Sequence, residues 1–183
     1  MLYVPAKMVT VPEAPRKVRL VVIHTMESPE GIGTARAVAE WFGGIRGEAP
    51  RASAHYCIDN REVIQCVPET GIAAHAPGVN TVSIGVEHAG RASQGLSGWS
   101  DLYSQECLSL SAQLVADICR RHKIPVRRPS IEALHDDPAC TGIVGHYDVT
   151  CAFRRSTHTD PGPYFPWASY LAQVARTLAA LAG

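Results

Sequence analysis

The chain has 183 residues, with 17 Lys+Arg against 17 Asp+Glu and 46% hydrophobic residues, enough for one domain with a sizeable core. The cancelling charges exclude a global basic surface for nucleic acid and an acidic tail. No apolar run reaches the ~20 residues a membrane span needs, and the opening residues lack the basic-then-apolar order of a secretory signal, so the expectation is synthesis in the cytoplasm without a signal peptide.

Residues 1–17 are proline-rich and read as an extension wrapped on the surface, ahead of a core over 18–181. "VRLVVIHT" (18–25) is a continuous Val-rich run, the pattern of a buried strand. Thr34 is placed to cap a helix to Phe42, with Val38, Trp41, Phe42 and Ile45 on one face and Gly43-Gly44 stopping it. "SAHYCIDN" and "EVIQCVP" read as a hairpin turning at Asn60-Arg61, and "VSIGVEHAG" (82–90) as another buried strand. "SQGLSGWSD" reads as a loop. Ser104 is placed to cap a long helix to His122 with Leu110, Leu114, Val115 and Ile118 inward, its start stapled by Tyr103 and Leu108.

"RRPSIEAL" suggests a short helical turn and "GIVGH" (142–146) a short strand. Pro166 suits the first turn of a last helix striped by Trp167, Tyr170, Leu171, Val174, Leu178 and Leu181. These elements make one α/β domain: a mixed, largely parallel central sheet with one antiparallel hairpin, flanked by helices. The six cysteines form no CxxC pair. Cys57 and Cys66 bracket the hairpin; a cytosolic origin favours free thiols, and the sequence leaves open whether these two pair.

Three metal-capable residues end apolar strands: His24, Glu87 and His146. Ligands collect at strand carboxyl ends in open α/β sheets. His24 and His146 with Asp160 make a three-ligand set of the kind catalytic zinc uses, one ion per chain, and the Pro-Gly after Asp160 supplies a turn to aim its carboxylate. His55 faces either the groove or the core; His88, next to Glu87, points to the other face of the sheet. His122 and His135 read as surface or cap residues. Cys151 near His146 raises a Cys-His hydrolase, but it has no activating context and leaves Asp160 without a role. "RRHK" and "VRR" read as solvated faces.

"VVIHTM", "SAHYCID", "AAHAPGVNTVSIGVEHAG", "GHYDV" and "HTDPGPYFPW" resemble, in order and spacing, the type-2 N-acetylmuramoyl-L-alanine amidases, a family that includes phage lysins, bacterial muramoyl-peptide recycling enzymes and animal peptidoglycan recognition proteins. The resemblance runs from about residue 18 to 171. It implies zinc held by His24, His146 and Asp160, and Glu87 as the acid-base residue of a hydrolase cutting the amide between N-acetylmuramic acid and L-alanine in peptidoglycan. It puts His75 near the substrate groove, and His55, if it faces the groove, is a second substrate-binding candidate. Many members carry a Lys oxyanion donor where this chain has His158. The catalytic Tyr of some phage members falls on Ala54, with Tyr56 one pleat away. The primary context implied is a phage endolysin acting as a monomer on the cell wall after release through a membrane lesion. The alternatives are a cytoplasmic recycling amidase and a peptidoglycan-binding module without catalysis. A structural zinc domain would need a fourth ligand, for which the sequence offers no well-placed residue.

Overall fold

A computed structural model describes residues 1–181; the last two residues of the domain expected over 1–183 lie outside them. In chain order the strands are β1 (Leu2–Tyr3), β2 (Val9–Thr10), β3 (Leu20–Thr25), β4 (Tyr56–Ile58), β5 (Val63–Gln65), β6 (Ile72–Ala73), β7 (Ser83–His88) and β8 (Gly142–Gly145). The helices are α1 (Thr34–Phe42), α2 (Leu96–Trp99), α3 (Leu102–His122), α4 (Ile131–Asp136), α5 (His146–Phe153) and α6 (Trp167–Ala180).

Six strands form one sheet in the order β1-β5-β4-β7-β3-β8. β4, β7, β3 and β8 run parallel, and β5 returns antiparallel to β4 through the hairpin. β3 and β7 sit centrally, covered on both faces, which is why their sequences are apolar runs rather than alternations. The strand period of two still divides them. Val21 and Ile23 join Ile84, Val86 and Ile143 beneath α3 and α6. Leu20 and Val22 face the other way, onto Leu134, Val149 and Ala152 of α4 and α5. α1 covers Ala54, Cys57 and Ile64 on that second face.

The structure alters four sequence expectations. The N-terminal segment is not a surface wrap alone: β1 adds a parallel strand beside β5, and β2 pairs antiparallel with β6 in a separate ribbon. Two-residue strands carry no readable periodicity. α1 is not capped by Thr34, which is its first residue; Gly33 is the N-cap, and Asp59 Oδ2 accepts the Gly33 and Ala35 N–H groups at 3.0 and 3.2 Å. Trp41 and Ile45 point outward, 44% and 66% exposed, while Ala35, Ala39 and Phe42 form the buried stripe. α3 begins earlier than Ser104: Asp101 is the cap, accepting the Ser104 N–H at 2.8 Å, and the loop before it holds the short α2. In the hairpin the Cys57 and Cys66 sulfurs are 3.8 Å apart, both buried and free.

Candidate metal centre

The parallel register brings the site together. His24 of β3 is the lateral partner of Glu87 on β7, and Ile23 is the partner of Gly145, so His146 follows beside His24. Glu87, His24 and His146 thus stand side by side at the carboxyl ends of three adjacent strands. The chain turns into α5 at His146 rather than ending a strand there. Asp148 makes that turn: its Oδ2 accepts the Gly145 N–H at 2.8 Å, and both its oxygens take Arg128 at 2.7 and 3.0 Å. Arg128 in turn lies 4.3 Å over the Trp167 ring, tying α5 to the start of α6.

Asp160 reaches the cluster from a loop laid back over β8. The Tyr147 N–H donates to the Asp160 carbonyl at 2.8 Å. Gly162, at φ +90°, passes so close to Ala92 that any Cβ would collide with its carbonyl, so the turn after Asp160 requires glycine. The loop delivers Asp160 Oδ2 to 3.0 Å from His24 Nδ1, and Oδ1 to 3.4 Å from His146 Nδ1.

The donor set fits a zinc ion. One ligand atom from each of His24, His146 and Asp160 lies within 4.8 Å of the others, and all three residues are buried. Tetrahedral bonds of ~2.0–2.1 Å put ligand atoms roughly 3.3 Å apart, close to the separations found. His146 Nδ1 is buried without a hydrogen-bond partner, which costs free energy unless something fills the gap between it and the carboxylate. Among the described residues the cluster has these three members, the count of an open rather than a closed zinc site.

The charged groups of the cluster shift one another strongly. Burial works against ionised Asp160, yet the His146 and His24 rings hold its carboxyl well below the usual range. Burial also lowers His24, but Glu87 and Asp160 outweigh it and raise the ring. His146 is lowered, by burial first. Burial pushes Glu87 up to about 7, with Asp160 and Glu27 adding to the shift and His24 opposing it. Glu87 Oε1 is 4.0 Å from His24 Nδ1, and its Oε2 is buried without a partner.

The remaining expected residues divide. His158 borders the centre: its Nδ1 is 3.1 Å from Asp160 Oδ1, and its ring stacks on His146 at 4.1 Å. His75 lines the cleft, but both its ring nitrogens turn inward, to His24 Nε2 at 3.0 Å and Ser83 Oγ at 3.1 Å. That leaves no ring nitrogen for substrate, contrary to the expectation. His55 is a plain correction. It is fully buried, its Nδ1 accepts the Gly85 N–H at 3.0 Å, and Arg16 lies 2.9 Å from its Nε2. Burial first, then Arg16, pushes it down to about 3.

Tyr56 is buried on the α3 side with its hydroxyl on Glu69. His88 also faces that side: Nδ1 donates to the His24 carbonyl at 3.0 Å, and Nε2 is 2.6 Å from Ser111 Oγ, itself 2.7 Å from Tyr170 Oη. Cys151 lines a different cavity with Glu132 and His135.

The cleft over the centre, about 420 Å³, extends from Glu27, Glu87 and His158 to an apolar wall of Met26, Val38 and Trp41. Sequence reading missed Asp148, Ser83 and Asn80, whose Oδ1 accepts the His75 and Ala76 N–H groups at 3.1 and 2.7 Å. Asp148 alone had a local signal, three residues into a helix after a strand-ending glycine.

Comparisons with known proteins bear on the family and the fold. A family model described as N-acetylmuramoyl-L-alanine amidase matches residues 14–163. N-acetylmuramoyl-L-alanine amidase A of Achromobacter lyticus is 30% identical over 172 residues, spanning 91% of this chain and 88% of that protein. The crystal structure of an AmpD derivative superposes with a TM-score of 0.65 at 24% identity, covering 94% of this chain and 93% of that one. A mutant endolysin from Bacillus subtilis superposes with a TM-score of 0.59 at 16% identity, over 95% and 99% of the two chains; these two likenesses concern the fold.

Proposed function

The chain belongs to the N-acetylmuramoyl-L-alanine amidase family and is an enzyme of that activity on peptidoglycan, and from this premise we propose that it works as a single zinc-dependent domain that degrades the cell wall. The observation that carries the zinc reading is the convergence of His24 Nδ1, His146 Nδ1 and the Asp160 carboxylate beside an unpartnered Glu87 oxygen. When bound by those three residues, zinc supplies a Lewis acid that polarises a carbonyl and brings the pKa of water toward ~7.

The chain's own groups do the rest. Glu87, buried at the cluster's edge, takes a proton from the attacking water as its oxygen bonds to the scissile carbonyl carbon. The same carboxyl then gives that proton to the departing L-alanine nitrogen as the C–N bond breaks. Burial raises this carboxyl, which favours its holding the proton between the two halves, and a divalent cation beside it opposes that shift. His158 donates through Nδ1 to the Asp160 carboxylate, and its Nε2 donates to the developing oxyanion as an imidazolium, the form in which both ring nitrogens carry protons. The Met26, Val38 and Trp41 wall excludes water along one side of the bound chain.

The proposal includes a lytic phage context, with the protein a monomer reaching the wall after membrane permeabilisation. No helix among the described residues is long and apolar enough to cross a membrane. The test is digestion of purified peptidoglycan with mass spectrometry of the new ends, alongside zinc quantified in wild type and Asp160→Ala. Free muramic-acid carboxyls and L-alanine amino ends, with zinc lost in the variant, are expected. Binding without new ends would leave a recognition module, and full zinc in Asp160→Ala would remove Asp160 from the ligand set.

A further inference from the structure

His24 is gripped through the nitrogen that faces away from the cluster. Its Nε2 lies 3.0 Å from His75 Nδ1, His75 Nε2 lies 3.1 Å from Ser83 Oγ, and Ser83 Oγ lies 2.8 Å from the Val79 carbonyl oxygen. The carbonyl can only accept, and this sets the polarity of the whole chain. Ser83 donates to Val79; the reverse arrangement would leave two oxygens facing each other with no proton between them. His75 then donates from Nε2 to Ser83, so its Nδ1 is a lone pair that accepts the Nε2–H of His24. With a metal between Nδ1 and the carboxylate, the His24 proton is held on Nε2, and Nδ1 is the nitrogen left to face Asp160 and His146.

β7 supplies the geometry through its period of two: Glu87, Gly85 and Ser83 project to one face. Glu87 enters the site and Ser83 anchors the far end. Gly85 between them is the platform, since a Cβ there would lie 2.6 Å from His75 Cγ. His55 holds that platform, its main-chain N–H donating to the Gly85 carbonyl at 3.0 Å and its Nδ1 accepting the Gly85 N–H at 3.0 Å. His75 itself is buried, only 7% exposed.

We propose that His75 and Ser83 are positioning residues, which fix the ring orientation and the tautomer of His24 so that Nδ1 is presented to the metal. This rests on the zinc reading of His24, His146 and Asp160. Outer-shell partners of metal-bound histidines typically matter 10–100-fold in metal affinity.

The experiment measures zinc affinity by chelator competition on wild type, His75→Phe, His75→Asn and Ser83→Ala, each checked for folding. Phe keeps a ring in the cavity and removes the acceptor. Asn keeps an acceptor oxygen near the position of Nδ1 and gives up packing. We expect His75→Phe to weaken zinc about 10–100-fold, His75→Asn to retain most of the affinity, and Ser83→Ala to fall between them. A packing role would reverse the order of Phe and Asn, and would overturn the proposal. Imidazole nitrogen NMR of the zinc-loaded wild type gives a second readout, with His24 expected to be protonated at Nε2 and not at Nδ1. If His75→Phe does not fold, the Ser83→Ala affinity and the His24 spectrum decide: wild-type affinity with zinc on His24 Nε2 overturns the relay. Tight zinc in the wild type with no change in any variant defeats the relay alone, whereas no zinc in the wild type defeats the zinc reading and the relay with it.

Discussion

Glu87 and His24 are register partners on adjacent parallel strands, and the carboxylate oxygen of one stands 4.0 Å from the Nδ1 of the other. Strand pairing therefore fixes the distance between the proposed proton carrier and a proposed ligand. Glu87→Gln keeps the shape and removes the base. The expected result is retained fold and zinc with kcat lowered about 10²–10⁴-fold. Steady-state kinetics on a soluble muramoyl-peptide, with zinc measured in the same samples, checks this; near wild-type turnover would reduce Glu87 to a strand-end carboxylate.

His158 stacks on His146 and touches Asp160, but its side chain is 58% exposed. Its removal should therefore spare the fold. His158→Ala is expected to lower kcat about 10²–10³-fold, the range for losing one oxyanion donor, with KM and zinc content little changed. His158→Lys should recover part of the loss, since an ammonium restores a donor from a similar direction. An unchanged kcat in His158→Ala would move the oxyanion role elsewhere.

Cys151 shares its cavity with Glu132 and His135, apart from the cleft that holds His146 and Asp160. Cys151→Ala should leave turnover within about 2-fold of wild type, as expected of a substitution away from the reacting groups. A zinc-loaded, folded variant without activity would bring back a thiol nucleophile.

Acid stability follows from two buried histidines. Burial pushes His88 down to about 4 and, with Arg16, His55 to about 3, against an unfolded value of roughly 6.5. Folded pKa values below the unfolded ones mean that the unfolded chain binds more protons in this window. Their contribution is complete above about pH 6.5 and is lost as pH falls through about 4 for His88 and about 3 for His55. Thermal melts from pH 7 to pH 4 at constant free zinc should show falling midpoints, with a shallower slope in His88→Gln. Parallel slopes for variant and wild type would show that His88 does not carry the effect.

The site was legible where a polar residue interrupts an apolar strand. His24, Glu87 and His146 stand out against Val and Ile on either side, and Pro-Gly marks the turn after Asp160. Less legible was where a side chain points once placed. The family resemblance puts His75 near the groove, and His55 could face groove or core, yet hydrogen bonds with Ser83 and Gly85 turn their nitrogens inward. Those partners lie 8 and 30 residues away, beyond any local pattern. The caps differed for a related reason. Asp59 serves α1 from 24 residues beyond Ala35, so Thr34 was the only local candidate, whereas at α3 both Asp101 and Ser104 had the right chemistry and only geometry chose between them. Strand and helix identities in the core were readable because both faces of β3 and β7 are covered.

The matched stretch, residues 14–163, stops before Tyr170. Yet Tyr170 is the far end of a tether through Ser111 and His88 to the main chain of His24. Excising the domain at the limits of sequence similarity would sever that tether and strip Val174 and Tyr170 from the surface formed by Val115 and Ile118. It would also remove β1 and leave β5 as a bare edge. Fusion proteins assembled from this domain should therefore be joined outside β1 and α6, with the first and last elements carried intact as part of the amidase unit.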